Sequence, residues 1–265
     1  MATDETAGIV SHENLGSGYS ELVLSCPTIA GAVQPGQFVH IRIPQLEASA
    51  LRRPFSVFDA QDGRITILYK NVGRGTSALV KAPVGSELQV LGPLGRGFPQ
   101  PEEIGALPLL VAGGYGVAPL HFLAKRLAGR RGIVFAGGRR SSDLLALDRF
   151  RALGWEVRTA TEDGSEGVKG YVTAPLDEAM SGLMSKGVKF EIFACGPDGL
   201  LKAASDRAVS AGVPGWISMD RHMVCGVGAC FACIQKVRLP NGTVSNARCC
   251  VNGPVFKASE LVWEK

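Results

Sequence analysis

The sequence predicts a multidomain β plus α/β protein, and three observations carry that expectation. Short alternating strands fill the first hundred residues, repeated strand–glycine–helix units follow, and five of the seven cysteines crowd into the last fifty. A length of 265 residues accommodates more than one domain. The expected order is an antiparallel β-barrel or sandwich over 1–102, a parallel α/β domain over 103–215, and a small cysteine-rich domain over 216–265.

The first domain rests on runs such as "YSELVLSC", "QFVHIRI", "RITILYK" and "SELQVLGP", separated by the turn signals "QPGQ", "AQDGR" and "APVGS". β-rich runs at this spacing are those of an antiparallel barrel or sandwich. The turn-rich stretch "GPLGRGFPQPEEIGA" marks a boundary. After it, "LPLLVAGG" leads to "VAPLHFLAKRLAG", "GIVFAGG" to "SDLLALDRFRALG", and "FEIFACGP" to "DGLLKAASDRAVSAG". Buried strand, glycine loop and helix in repetition give a parallel sheet, whose ligands sit beyond the carboxyl ends of its strands. The tail from about Trp216 is too short to bury a good core alone, so a metal centre would help to hold it together.

Bulk chemistry excludes several functions. The net charge is only +4 and its Lys and Arg are scattered, which argues against nucleic acid and membrane surfaces. Runs such as "ALPLLVAGG" are too short to span a bilayer. The start "MATDETAGIV" lacks the basic and apolar regions of a signal peptide, so the expected location is the cytoplasm. There, clustered cysteines are metal ligands or redox groups before they are disulfides.

Four loops can carry chemistry. In "VAGGYGVAPL", Gly113, Gly114 and Gly116 would let a backbone approach a pyrophosphate at a helix N-terminus, or would simply make a tight strand-to-helix turn. "ACGPDGLL" repeats the arrangement, with Cys195 either a buried small hydrophobe or a residue facing a cofactor. Arg52 and Arg53 before Pro54 make a basic corner able to clamp a phosphate, with Ser56 as a hydrogen-bond donor. Gly73 and Gly75 precede Thr76 and Ser77, which could cap a helix whose amides meet a phosphate.

In the tail, Cys225, Cys230 and Cys233 give C-x4-C-x2-C with further cysteines downstream, the spacing of plant-type 2Fe-2S ligation. Gly226, Gly228 and Ala229 keep that loop slim, so that amides can approach sulfur. A structural zinc site more often has two C-x2-C knuckles, and one is present here. Spacing leaves Cys249 and Cys250 both open as the fourth ligand. In an extended segment, neighbouring side chains point to opposite faces, so only one of the two would reach a common cluster. The histidines His12, His40, His121 and His222 do not pair at ligand spacing and are expected at the polar surface or in satisfied packing positions. His222, near Cys225, is a candidate to tune a cluster.

Taken together, "RPFS", "GRGT", "GGYGVAPL" and "ACGP" occur in the order and at spacings that resemble the ferredoxin–NADP reductase superfamily. Within it, the tail ending in "CCVNGPVF" looks most like the electron-transfer subunits of NAD-dependent (class 1B) dihydroorotate dehydrogenases. The resemblance covers essentially the whole chain. It implies FAD on the barrel, held by Arg53, Pro54, Phe55, Ser56, Leu68, Tyr69, Lys70, Gly75 and Thr76. It implies NAD on the α/β domain, at Gly113, Gly114, Gly116, Cys195, Gly196 and Pro197, and a 2Fe-2S cluster in the tail. Because the family's fourth ligand precedes two residues and then Gly-Pro, it implies Cys250 beside Cys225, Cys230 and Cys233, and leaves Cys249 as a packed thiol. Tyr115 stands where a small aliphatic residue is usual, so its ring is placed to touch the nucleotide.

Arg139 and Arg140 could meet a 2′-phosphate or lie in solvent; the resemblance points to NAD rather than NADP. A nicotinamide moves two electrons as a hydride and a cluster moves one, so a flavin belongs between them. The implied partner is an FMN-containing catalytic subunit that oxidises dihydroorotate in pyrimidine biosynthesis, in a heterotetramer. No catalytic residue is assigned beyond the cofactors. Two other functions fit the same residues. One is an electron-transfer subunit of another NAD(P)H-linked complex, such as a ferredoxin–NADP transhydrogenase or a sulfide- or hydrogen-linked reductase. The other is a non-catalytic, zinc-stabilised binding or sensor protein.

Overall fold

The computed structural model describes residues 1–43, 51–103 and 105–263. Its first unit is one seven-stranded antiparallel sheet that curls into a half-barrel. The strands are β1 (Thr3–Gly16), β2 (Tyr19–Ser25), β3 (Phe38–Arg42), β4 (Arg53–Ser56), β5 (Asp59–Gln61), β6 (Arg64–Lys70) and β7 (Glu87–Leu94), in the order β4-β3-β7-β1-β2-β6-β5. Two short helices, α1 (Pro27–Ala32) and α2 (Arg74–Leu79), fill the connections. Period-2 alternation explains the curl's inner face: Leu22, Leu24, Ile65, Ile67, Val39 and Ile41 all turn inward and are fully buried in one core.

The second unit is a parallel sheet with helices on its faces. It comprises β8 (Leu107–Gly113), α3 (Val117–Arg126), β9 (Ile133–Gly138), α4 (Leu147–Ala152), β10 (Glu156–Thr161), β11 (Val168–Lys169), α5 (Thr173–Ser185), β12 (Phe190–Cys195), α6 (Asp198–Ala211) and β13 (Gly215–Ser218). Strands buried on both faces are continuously apolar, as in "LPLLVAG" and "FEIFAC". The expected division at residue 215 falls within β13, and residue 104 of the expected junction lies outside the described residues.

The tail holds a hairpin, β14 (Ile234–Arg238) and β15 (Val244–Arg248), a one-turn helix α7 (Cys249–Asn252), and β16 (Val255–Lys257). β16 returns to the α/β unit and pairs antiparallel with β13, giving the sheet order β11-β10-β9-β8-β12-β13-β16. The tail also lacks a core of its own. Cys233, Val237, Ala247 and Phe256 belong to the same apolar cluster as Val111 and Ile192 of the parallel sheet. The barrel is fastened to the tail as well: Arg96 N–H donates to the Gly253 carbonyl at 2.5 Å. No helix among the described residues is long and apolar enough to cross a membrane.

Candidate functional site

The three units meet around a cleft of about 210 Å³. That is below the roughly 300–1,000 Å³ that encloses a whole drug-sized ligand, so the cleft suits one planar ring system with the rest of a ligand lying outside. β8, β12 and β13 of the parallel sheet end at or just before it, which is where such sheets bind. The barrel contributes Pro54, Phe55 and Ser56 of β4, Leu68, Tyr69 and Lys70 of β6, and Thr76 of α2. The α/β unit contributes Tyr115, Gly116 and Cys195, and the tail contributes Met223 and Pro254. Seven of the nine residues expected to hold FAD therefore line one space, joined by Gly116 and Cys195 of the six expected for NAD; the four cysteines expected to hold the cluster lie outside its lining.

The basic corner divides. Arg52 pairs with Asp4 through two hydrogen bonds, at 3.1 and 2.6 Å, and faces away from the cleft's lining. Arg53 instead lays its stem across Gly75, where an added Cβ would stand 2.8 Å from its Nε. Its guanidinium donates to the Leu51 carbonyl at 2.7 Å. Thr76 and Ser77 are not helix caps. Gly73 occupies the cap, and Thr76, three residues on, reaches back to accept the Gly73 amide at 3.1 Å and the Val72 amide at 2.9 Å. Ser77 donates to Asn71 Oδ1 at 2.8 Å. Both hydroxyls thus brace the loop from inside the first turn.

Lys70 joins the barrel to the α/β unit. Its Nζ donates to Tyr19 Oη at 3.1 Å and to Asp143 Oδ1 at 3.4 Å, and Tyr19 Oη donates to Asp143 Oδ1 at 3.0 Å. The Tyr19 hydrogen bond chiefly raises the Lys70 pKa. For Asp143, burial opposes ionisation, but the bonds from Tyr19 and Lys70 outweigh it and hold the carboxyl below its ordinary 3.8. A carboxylate with a depressed pKa stabilises the fold above its unfolded value and loses that contribution as pH falls through the folded one. Asp143→Asn should therefore lower stability by about 1 kcal/mol near pH 7, and the difference should fade below pH 3.8. Melting curves of both proteins across that range check it.

The glycine loops are packed on each other. An added Cβ at Gly116 would collide with the Cys195 carbonyl and stand 2.7 Å from the Gly196 nitrogen. One at Gly113 would stand 2.7 Å from Pro197 Cδ. The absent side chains thus let two strand-to-helix turns interlock, and only Gly114 has the positive φ (+53°) of a left-handed turn residue among the three. Cys195 is buried and lines the cleft; burial pushes its thiol up to about 12, so it stays protonated. Tyr115 is half exposed at the cleft mouth and donates to Asp220 Oδ2 at 3.1 Å. Burial first, then Asp220, push its hydroxyl up to about 12. Arg139 and Arg140 are both exposed.

In the tail, Cys225 and Cys230 lie on the surface loop, whereas Cys233, Cys249 and Cys250 are buried. Backbone N–H groups converge on sulfur: Ala229 and Cys230 donate to Cys225 Sγ at 3.3 and 3.4 Å, and Cys250 donates to Cys233 Sγ at 3.4 Å. Burial opposes ionisation of Cys225, yet the amides of Cys230 and Val227 outweigh it and bring the thiol down to about 6. Gly226 and Gly228 have φ of +70° and +85°, which folds the loop tightly around that sulfur. Cys249 and Cys250 are not extended, as expected from sequence, but begin α7, because Asn252 Oδ1 accepts the Arg248 amide at 3.0 Å and closes a turn. Their side chains diverge by roughly 100° rather than 180°. The Cys250 thiol interacts with the Cys233 side chain and the Gly228 amide. Cys249 is fully enclosed; burial first, then Cys233, raise its thiol to about 12, with Arg221, Cys250 and Asp220 as its further neighbours.

A donor set of thiols, with amides aimed at sulfur, is that of an iron–sulfur cluster rather than of a hard cation. Among the described residues, no three His, Cys, Asp or Glu side chains gather closely enough for a single metal ion. Of the histidines, His12 bonds Tyr69 Oη at 2.8 Å, and His121 stacks on Phe58 with centroids 4.1 Å apart. His222 is exposed. His40 departs from the expectation of a surface or satisfied position: it is fully buried, and neither ring nitrogen has a hydrogen-bond partner. Burial first, then Arg52 and Arg53, lower its pKa to about 4. Alternation in "QFVHIRI" puts it on the face of Phe38, opposite the barrel core, which was the one signal available in the sequence.

Residues 220–262 match the family model described as the iron–sulfur cluster binding domain of dihydroorotate dehydrogenase B. Over 99% of this chain and 100% of the relative, the sequence is 39% identical to the dihydroorotate dehydrogenase B (NAD(+)) electron transfer subunit of Geobacillus thermodenitrificans. The chain belongs to that family. Its counterpart in Shouchella clausii is 38% identical, with 96% of each chain covered. Among solved structures, the NADH-dependent reduced ferredoxin-NADP oxidoreductase described for flavin-based electron bifurcation superposes at a TM-score of 0.82. It is 32% identical, over 97% of this chain and 90% of that one. The ferredoxin reductase of carbazole 1,9a-dioxygenase, at 24% identity and a TM-score of 0.67 over 80% of this chain, shares the fold. The five tail cysteines of this chain, Cys225 to Cys250, fall inside the matched iron–sulfur segment, and the cleft abuts it.

Proposed function

We propose that this chain carries electrons between NAD and a catalytic flavoprotein subunit that oxidises dihydroorotate in pyrimidine biosynthesis. The observation that carries this is full-length identity of 39% to a dihydroorotate dehydrogenase B electron transfer subunit, with the cysteine pattern inside the matched iron–sulfur segment. A flavin exchanges electrons in pairs with a nicotinamide and singly with an iron–sulfur cluster, so FAD belongs in the cleft between the other two.

The residues divide that work. Arg53, Pro54, Phe55 and Ser56 on β4, Leu68, Tyr69 and Lys70 on β6, and Gly75 and Thr76 on α2 would hold FAD, with Arg53 and Lys70 offering positive charge to its phosphates. Gly113, Gly114 and Gly116, with Cys195, Gly196 and Pro197, would give NAD a flat floor at the strand ends. Cys225, Cys230, Cys233 and Cys250 would hold the 2Fe-2S cluster, which the amides aimed at sulfur favour in its more negative, reduced form. The cluster loop lies at the surface, where Val227 and Phe231 are exposed and Arg248 stacks 5.0 Å over the Phe231 ring. That face suits the FMN-containing catalytic subunit, and the expected assembly is a cytoplasmic heterotetramer.

Co-expression with the dihydroorotate-oxidising subunit tests the proposal. The pair should co-purify and reduce NAD+ with dihydroorotate, while the isolated chain shows flavin and iron–sulfur absorption but no dihydroorotate turnover. A colourless chain containing zinc would overturn it. Co-purification with a ferredoxin-dependent partner instead would assign the chain to a complex like that of its 32%-identical structural neighbour.

A further inference from the structure

Five buried side-chain nitrogen or oxygen atoms lack a partner among the described residues, and two of them are the ring nitrogens of His40. Burying a polar group unpaired is costly, and such groups in folded proteins call for a reason. The surroundings of this ring supply one. His40 sits in the middle of β3, opposite Pro54 of β4, a cleft residue, and Leu91 of β7. Its side chain leaves the sheet on the outer face together with Phe38, whose ring meets it edge-on at 5.6 Å. That face is covered by the cysteine loop. A Cβ at Gly226 would stand 2.7 Å from His40 Cε1, 2.8 Å from Nδ1 and 3.0 Å from Nε2. The imidazole thus fills the space that a side chain beside Cys225 would take, and it does so without a protein hydrogen-bond partner.

The geometry points to His40 as a positioning residue of the cluster site: its ring packs against the loop at Gly226, beside Cys225, where its N–H would be free to donate to a sulfur of the bound cluster. This rests on the iron–sulfur assignment made above. An uncharged imidazole carries one N–H and one lone pair, so a single sulfur acceptor satisfies its donor. Hydrogen bonds to cluster sulfur stabilise the reduced, more negative state and are one of the means by which a protein sets its potential. The same ring backs onto the strand pair that lines the cleft, so it ties cluster position to the barrel.

The test is a reduction titration of the holoprotein followed by electron paramagnetic resonance, on wild type, His40→Leu and His40→Gln. Removing the donor in His40→Leu should shift the reduction equilibrium about tenfold toward the oxidised form, about 59 mV for a one-electron couple. His40→Gln, which keeps an N–H donor, should stay within about threefold of wild type. In wild type labelled with 15N-histidine, the reduced cluster should show a histidine nitrogen coupling that persists in His222→Asn. A loaded His40→Leu protein with an unchanged potential overturns the inference. So does the absence of a histidine coupling in wild type, which decides the matter even if the Leu variant does not fold. A reduced wild type with no cluster signal at all instead overturns the iron–sulfur assignment itself.

Discussion

Cys250→Ser should empty the cluster site, abolishing iron–sulfur absorption, while Cys249→Ser should keep it. Both thiols are buried and adjacent, so burial does not separate them. Hydrogen bonding does. Cys250 hydrogen-bonds with the Cys233 side chain and the Gly228 amide of the loop, whereas the Cys249 thiol, in the same apolar core, is near Cys233 but shares no hydrogen bond with its side chain. Removing one of four thiolates leaves an iron short of a ligand, and the loss is all-or-none. Cys249→Ser places a hydroxyl in an apolar site, with an expected cost of about 1–3 kcal/mol in stability but no loss of iron. Iron per chain, the visible spectrum and a melting curve separate the two outcomes. Cluster retained in Cys250→Ser and lost in Cys249→Ser would reverse the assignment.

The second large effect is at Gly116. Gly116→Ala should cost about 1–3 kcal/mol through overpacking, because the new methyl meets the Cys195 carbonyl and neither backbone segment can swing aside as a side chain would. It should also reduce NADH-dependent reduction of an artificial acceptor by roughly 100-fold, since the floor of the nicotinamide position moves. Gly114→Ala, in the same proposed NAD floor but outside the interlock, is the comparison. Its Cβ would come no closer than 3.7 Å to the Tyr19 hydroxyl, and it should cost only about 1 kcal/mol, from the positive φ. Equal kinetic losses in the two variants would show that the interlock of the loops is not what matters.

The half-barrel and the parallel sheet were legible because their signals are local. Alternation marks "RITILYK" and apolar continuity marks "FEIFAC", and both are strands as expected. The loop chemistry was legible only as residue types. That Gly113 and Gly116 face Gly196 and Cys195 depends on two turns some eighty residues apart meeting, which no single window contains. Ser77 was expected near a cap, but the backward reach of Thr76 decides where the helix begins. His40 was missed for the same reason of distance: in the strand it is one polar residue among apolar ones, and the loop that encloses it arrives from residue 226.

The last strand of the chain gives the cysteine module a second significance. By pairing with β13, β16 takes over the edge of the parallel sheet, as a strand of only three residues. A long open edge is a template for indiscriminate pairing between chains, and a very short edge strand blunts it. The cysteine-bearing segment therefore also supplies the short strand that ends the sheet, so the module is not a detachable cassette. Grafting it elsewhere, or trimming it away, would leave the donor fold sticky as well as disconnected.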